Sequence, residues 1–87
     1  MSYDYETQKP NLLTPQGQKG LFEVRALADE RIETAGAVTM TKATNGCSLP
    51  NSWDRLAAMD YLVELGELRE IPQENVRAQD RIFVKGG

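Results

Sequence analysis

The feature that most restricts this chain is an apolar stripe that stops at a glycine and then changes period. Leu56, Met59, Leu62 and Leu65 recur every three residues, with Trp53 and Val63 beside them. That spacing predicts one face of an α-helix from about Ser52 to Leu65. Asn51 or Ser52 supplies the N-cap, and Asp54 stands favourably against the positive end of the helix dipole. Gly66 follows at the position where a left-handed residue closes a helix, and Leu68 can cover the end. Past Gly66 the period falls to two, with Leu68 and Ile71 bracketing Arg69 and Glu70. Pro72 to Asp80 is polar and turn-like. Arg81-Ile82-Phe83-Val84-Lys85 is then the best strand pattern in the chain, ahead of Gly86-Gly87. Two such strands form a hairpin that folds back on the helix.

The helix and hairpin need a further element to bury their apolar sides. Thr14-Pro15 is a strong helix start, because threonine caps well and proline at the first helical position sacrifices no bond. Leu21, Val24, Ala28, Ile32 and Ala35 follow on one helical face, which Phe22 widens, and Gly36 is a natural stop. Glu23, Arg25, Asp29, Glu30, Arg31 and Glu33 lie mostly off that face and read as a solvated surface. Gly17 and Gly20 weaken the first turns by up to about 1 kcal/mol each. Ala37-Val38-Thr39-Met40 predicts a brief strand. Thr41 to Gly46 is a poor helix former, so a helix there is short and held by tertiary contacts. Cys47 to Pro50 is a turn, since Leu49 precedes proline. Residues 1–13 carry Tyr3, Tyr5 and Pro10 but no periodic face, and predict a flexible arm whose Leu12 and Leu13 tuck onto the body.

With 87 residues, the chain suffices for one modest core. It has one cysteine, Cys47, and no histidine. An internal disulfide is therefore excluded, and the usual zinc ligands are missing, so neither a metal nor a cofactor is expected. Cys47 reads as a small, partly buried apolar residue. No apolar run approaches the roughly 18 residues that span a bilayer. The first residues are polar and acidic, unlike a signal peptide, so no membrane partner and a cytoplasmic location are expected. Asp54, Asp60, Glu64 and Glu67 fall into no catalytic motif, and a non-enzymatic role is expected.

The segment Met59-Asp60-Tyr61-Leu62-Val63-Glu64-Leu65-Gly66-Glu67-Leu68-Arg69-Glu70-Ile71 resembles the end of a recognition helix, its closing glycine and the entry to a wing strand. Ala37-Val38-Thr39-Met40 is similar to the small strand and second-helix entry of the same superfamily, winged helix-turn-helix. The likeness spans about Thr14 to Lys85. The chain also resembles small phage and prophage proteins of unassigned role. This resemblance implies an α+β winged-helix domain over residues 14–87: helix, short strand, weak helix, recognition-type helix and a two-stranded β-hairpin wing. It further implies a DNA-binding accessory of transcription regulation, with the strong helix in the major groove and the wing on flanking backbone. The matching positions are Asn51, Ser52 and Arg55 on the strong helix, Lys42 on the weak one, and Arg77 and Arg81 on the hairpin.

Charge departs from that pattern. The net charge is -3, whereas phosphate binding favours a basic domain. The outward side of the strong helix reads as Asn51, Ser52, Asp54, Arg55, Ala58 and Tyr61, where Arg55 is the one cation and Asp54 and Asp60 repel phosphate. The wing, Glu74 to Arg81, balances two arginines with two acids. Arg55 either meets a guanine edge or interacts with a neighbour on its helix, and Arg77 and Arg81 either hold phosphates or pair with local acids. Trp53 is either a core anchor or an exposed aromatic of a protein interface. The alternative function is accordingly an acidic protein-interaction module that docks on a host or phage protein through Asp54, Asp60, Tyr61 and Trp53. A homodimer formed through the Tyr3/Tyr5 arm or the hairpin edge is a further possibility.

Overall fold

Each α-helix begins where a side chain can accept a hydrogen bond from its first turn. In the computed structural model, which describes residues 3–49, 51–72 and 81–86, Asp4 caps α1 (Tyr5–Gln8). The Thr14 hydroxyl accepts from Gly17 N at 3.0 Å to start α2 (Pro15–Ala35). Thr39 accepts from Lys42 N at 3.3 Å to start α3 (Met40–Thr44). Asn51 accepts from Asp54 N at 2.9 Å to start α4 (Ser52–Glu64). Each cap contributes about 1 kcal/mol. Gly36 (φ 85°) and Gly66 (φ 80°) lie just past α2 and α4, in the left-handed region that only glycine enters freely. A 3₁₀ helix, Lys9–Leu13, joins α1 to α2.

The strands are β1 (Val38–Thr39), β2 (Leu68–Ile71) and β3 (Ile82–Lys85), in one antiparallel sheet of order β1-β3-β2. Phe83 pairs with Val38 on one side and Glu70 on the other. The brief strand therefore joins the hairpin, and Met40 N donates to the Arg81 carbonyl at 2.9 Å as α3 begins. The chain is thus an α+β fold, with helices packed on an open sheet. Phe83, Leu12, Met59, Leu62 and Val24 are the largest fully buried side chains. They meet Leu21 and Ala28 of α2, Val38, Met40 and Ala43 in a single core. Burial of a side chain as large as Phe83 stabilises by about 1.5–3 kcal/mol.

The core is narrower than the sequence suggests. Phe22 does not widen the buried face of α2; it is 68 % exposed. It sits one residue, or roughly 100°, from Leu21, which already fills that side. Ala35, in the last turn, is also exposed. Leu65 does not complete the α4 stripe and is 48 % exposed, because the chain turns away at Gly66 before a further turn can bury it. Of the leucine pair before α2, Leu12 is buried while Leu13 is exposed.

Residues 5–13, which lack a periodic face in sequence, are helical here and pack against α4 and α2. Of the residues that the sequence predicts as a wing, Glu74 to Asp80, Arg77 among them, lie outside the described residues. Gly17 and Gly20 gain a purpose that propensity alone does not suggest. A Cβ at Gly17 would lie 2.1 Å from the Asn11 carbonyl oxygen and 2.6 Å from Leu12 Cα, and one at Gly20 would meet the Leu49 side chain at 2.4 Å. These glycines let the 3₁₀ helix and the Leu49 turn lie directly on α2.

Gly17→Ala is predicted to destabilise the protein by about 2 kcal/mol through overpacking against backbone that cannot yield. Helix propensity alone would predict a gain of up to about 1 kcal/mol. Urea unfolding followed by the fluorescence of Trp53 distinguishes the two signs.

Candidate functional site

The cap and first turn of α4 carry half of the site residues that the sequence singles out, and packing divides them. Asn51 and Ser52 are exposed. Asp54 is buried, with its carboxylate accepting from Asn51 Nδ2 and from Asn11 Nδ2, both at 3.2 Å. It ties the start of α4 to the 3₁₀ helix and does not lie on an outward face. Ala58 is also fully buried rather than outward. The reason is the N-terminal segment, which covers a side of α4 that the helix's own sequence leaves looking solvated.

Farther along, Asp60 belongs to a charge cluster. Arg81 Nη2 approaches Asp60 Oδ1 at 2.6 Å and Glu70 Oε1 at 2.7 Å, and Arg81 Nε donates to Glu70 Oε2 at 2.9 Å. The guanidinium lies 5.2 Å over the Phe83 ring. The side chains of Arg81 and Asp60 are only 19 % and 20 % exposed. The Tyr3 hydroxyl donates to Asp60 Oδ2 at 2.6 Å, and burial, together with that bond, pushes the phenol well above its ordinary range. Hydrogen bonds from Arg81 hold the Glu70 carboxyl below the usual glutamate range. Arg81 therefore pairs with local acids instead of standing free for phosphate, and Asp60 is not a free acid on the surface.

Tyr61 is half-buried against the core, with the Lys9 ammonium 5.7 Å from its ring centre. Lys9 also pairs with Glu64 at 2.9 Å, and the Tyr5 hydroxyl donates to the same carboxylate. Trp53 packs partly against the core.

Two sequence-predicted cations keep their charge available. Arg55 is half-buried, its Nε donates to the Leu49 carbonyl at 3.4 Å, and it forms no ion pair among the described residues. Lys42 is exposed on α3 and likewise makes no ion pair there. Between α3 and the first turn of α4 runs a groove of about 410 Å³, lined by Met40, Thr44, Ser52, Trp53, Arg55 and Leu56 among others. A second cavity of about 260 Å³ brings Lys42 together with Arg31, beside Val38, Thr39 and Ile82. Arg31 reads as plain solvated surface in the sequence. Only the return of the chain through β1 brings the two cations together, and no local signal announces it.

Among the described residues no cluster of metal-ligating side chains occurs, and no helix is long and apolar enough to cross a membrane. Comparison with known proteins finds no matching family model, no matching curated protein and no matching solved structure.

Three glutamates are held below their ordinary values: Glu23 by the Ser48 hydroxyl and amide, Glu64 by Tyr5 and Lys9, and Glu70 by Arg81. A carboxyl depressed in the folded state contributes stability that is present above its unfolded pKa and lost as pH falls through the folded one. With no histidine in the chain, the urea midpoint is expected to change little from about pH 7 to 5 and to fall below roughly pH 4. Measured against pH, the fall should be shallower in Glu70→Gln; an equal slope would mean that the Glu70–Arg81 pair does not contribute.

Proposed function

We propose that this chain is a small non-enzymatic winged helix-turn-helix protein, working in the cytoplasm as a DNA-binding accessory of transcription regulation, with α4 as its recognition helix. The supporting topology is the pairing of β1, ahead of α3 and α4, with β3 of the hairpin that follows them. The observation that carries the DNA assignment is the distribution of free charge. Arg55 and Lys42 stand without ion pairs among the described residues on the two helices that would meet a duplex. The acids that argue against DNA in the sequence are engaged internally, Asp54 by two asparagines and Asp60 by Arg81 and Tyr3. Asn51 and Ser52 complete the contact set at the α4 N-terminus, with Arg55 reading a base edge and Lys42 holding backbone.

Anisotropy of a labelled duplex at low and moderate salt tests this assignment. Binding should weaken steeply as salt rises. On a selected site, Arg55→Ala should cost about 1–3 kcal/mol, and Lys42→Ala should weaken all sequences alike with a shallower salt slope. Absence of binding at low salt would overturn the assignment.

A protein-contact role draws on a separate observation, the exposure of Phe22 and Leu65. Arg25, three residues beyond Phe22 on α2, bonds Glu67 at 3.0 Å, two residues past Leu65. That bond ties the part of α2 that carries Phe22 to the turn that follows Leu65. A self-contact there predicts a dimer that Phe22→Ser weakens by about tenfold or more. Sedimentation equilibrium checks it, and a wild-type monomer at about 100 μM would end this second assignment.

A further inference from the structure

The groove between α3 and α4 has the character of a small-ligand site. Its volume of about 410 Å³ falls in the range of small-molecule pockets, about 300–1,000 Å³. Met40, Leu56 and Trp53 supply apolar and aromatic lining, and Thr44, Asn45 and Ser52 supply polar groups. The Thr44 hydroxyl is already committed to the Met40 carbonyl at 2.8 Å, which leaves the chemistry of recognition to fewer groups. Among the described residues Arg55 is the sole charged residue of the lining, and no carboxylate of theirs faces it there. Asp54, its neighbour in sequence, is held on another side of the helix by Asn11 and Asn51. The Leu49 carbonyl steadies the guanidinium through Nε at 3.4 Å, and the terminal nitrogens have no partner among the described residues. A half-anchored guanidinium with free terminal nitrogens suits a carboxylate or a phosphate, and an aromatic lining suits a flat ring.

We propose that this groove binds a small planar aromatic anion, its ring against Trp53 and its acidic group on Arg55. One guanidinium cannot serve a base edge and a bound anion together, so occupancy and DNA binding oppose each other; this consequence, unlike the groove itself, rests on the DNA assignment above.

The probe is 2-naphthoate, with 2-naphthamide as its uncharged counterpart, followed by ¹H–¹⁵N correlation spectra. The chain has a single tryptophan, so its indole N–H gives an unambiguous signal. Naphthoate should shift that signal and the amides of Thr44, Ser52 and Leu56 to saturation. Arg55→Gln should weaken naphthoate by about tenfold or more, and naphthamide should bind the wild type more weakly by a similar factor. Equal affinity for acid and amide, an unchanged affinity in Arg55→Gln with its spectrum otherwise native, or shifts gathered at Phe22 and Leu65 would overturn the proposal. The DNA consequence is read separately, as displacement of labelled duplex by naphthoate. Failure of the protein to bind duplex at all would defeat the DNA assignment and leave the spectral result standing. Saturation by naphthoate without displacement of bound duplex would defeat the coupling alone.

Discussion

Arg81 is the residue through which the parts of this molecule are joined. Its carbonyl receives the amide of Met40 as α3 begins, and its side chain grips Glu70 of β2 and Asp60 of α4. Tyr3 closes on Asp60 from the N-terminal segment. A partly buried cation of this kind is held in place because its removal leaves two carboxylates facing each other, whereas an exposed pair would contribute little. The same guanidinium covers Phe83, which is at the centre of the sheet and of the core. Sheet, α4 and N-terminal segment thus share one electrostatic junction set over one aromatic ring.

That junction changes the meaning of the charge. Acid and base meet in specific pairs: Lys9 with Glu64, Arg25 with Glu67, and Arg81 with both Asp60 and Glu70. These pairs tie α4 and the strand after it to neighbouring elements. Arg55, Lys42 and Arg31 make no ion pair among the described residues, and each lines a cavity beside α3.

The N-terminal segment and the two tight glycines express one constraint. The 3₁₀ helix reaches α4 only because α2 lacks a side chain at Gly17, where Asn11 and Leu12 lie against its backbone. Leu12 then enters the core and Asn11 reaches Asp54. Contacts of this sort carry no periodicity, since a single leucine and a single asparagine do the anchoring, and a segment without periodicity reads as an arm.

What the sequence determined by itself is local. The caps at Thr14 and Asn51, the stops at Gly36 and Gly66, the α2 stripe from Leu21 to Ala28, and the change to strand period after Gly66 all depend on neighbours within a turn or two, and backbone sterics and hydrogen bonding express them directly. The α+β class follows from them. Of the residues that the sequence singles out, Lys42, Asn51 and Ser52 are exposed and Arg55 is half-buried, while Asp54, Asp60 and Arg81 are drawn into internal bonds. Tertiary structure alone decided which charges stay free, that Arg31 joins Lys42, and that Trp53 and Arg55 share a groove. Those outcomes hinge on partners far apart in the chain, 43 residues for Asn11 and Asp54 and 57 for Tyr3 and Asp60. A carboxylate's neighbourhood, unlike its helix, is set by whichever element comes to rest beside it.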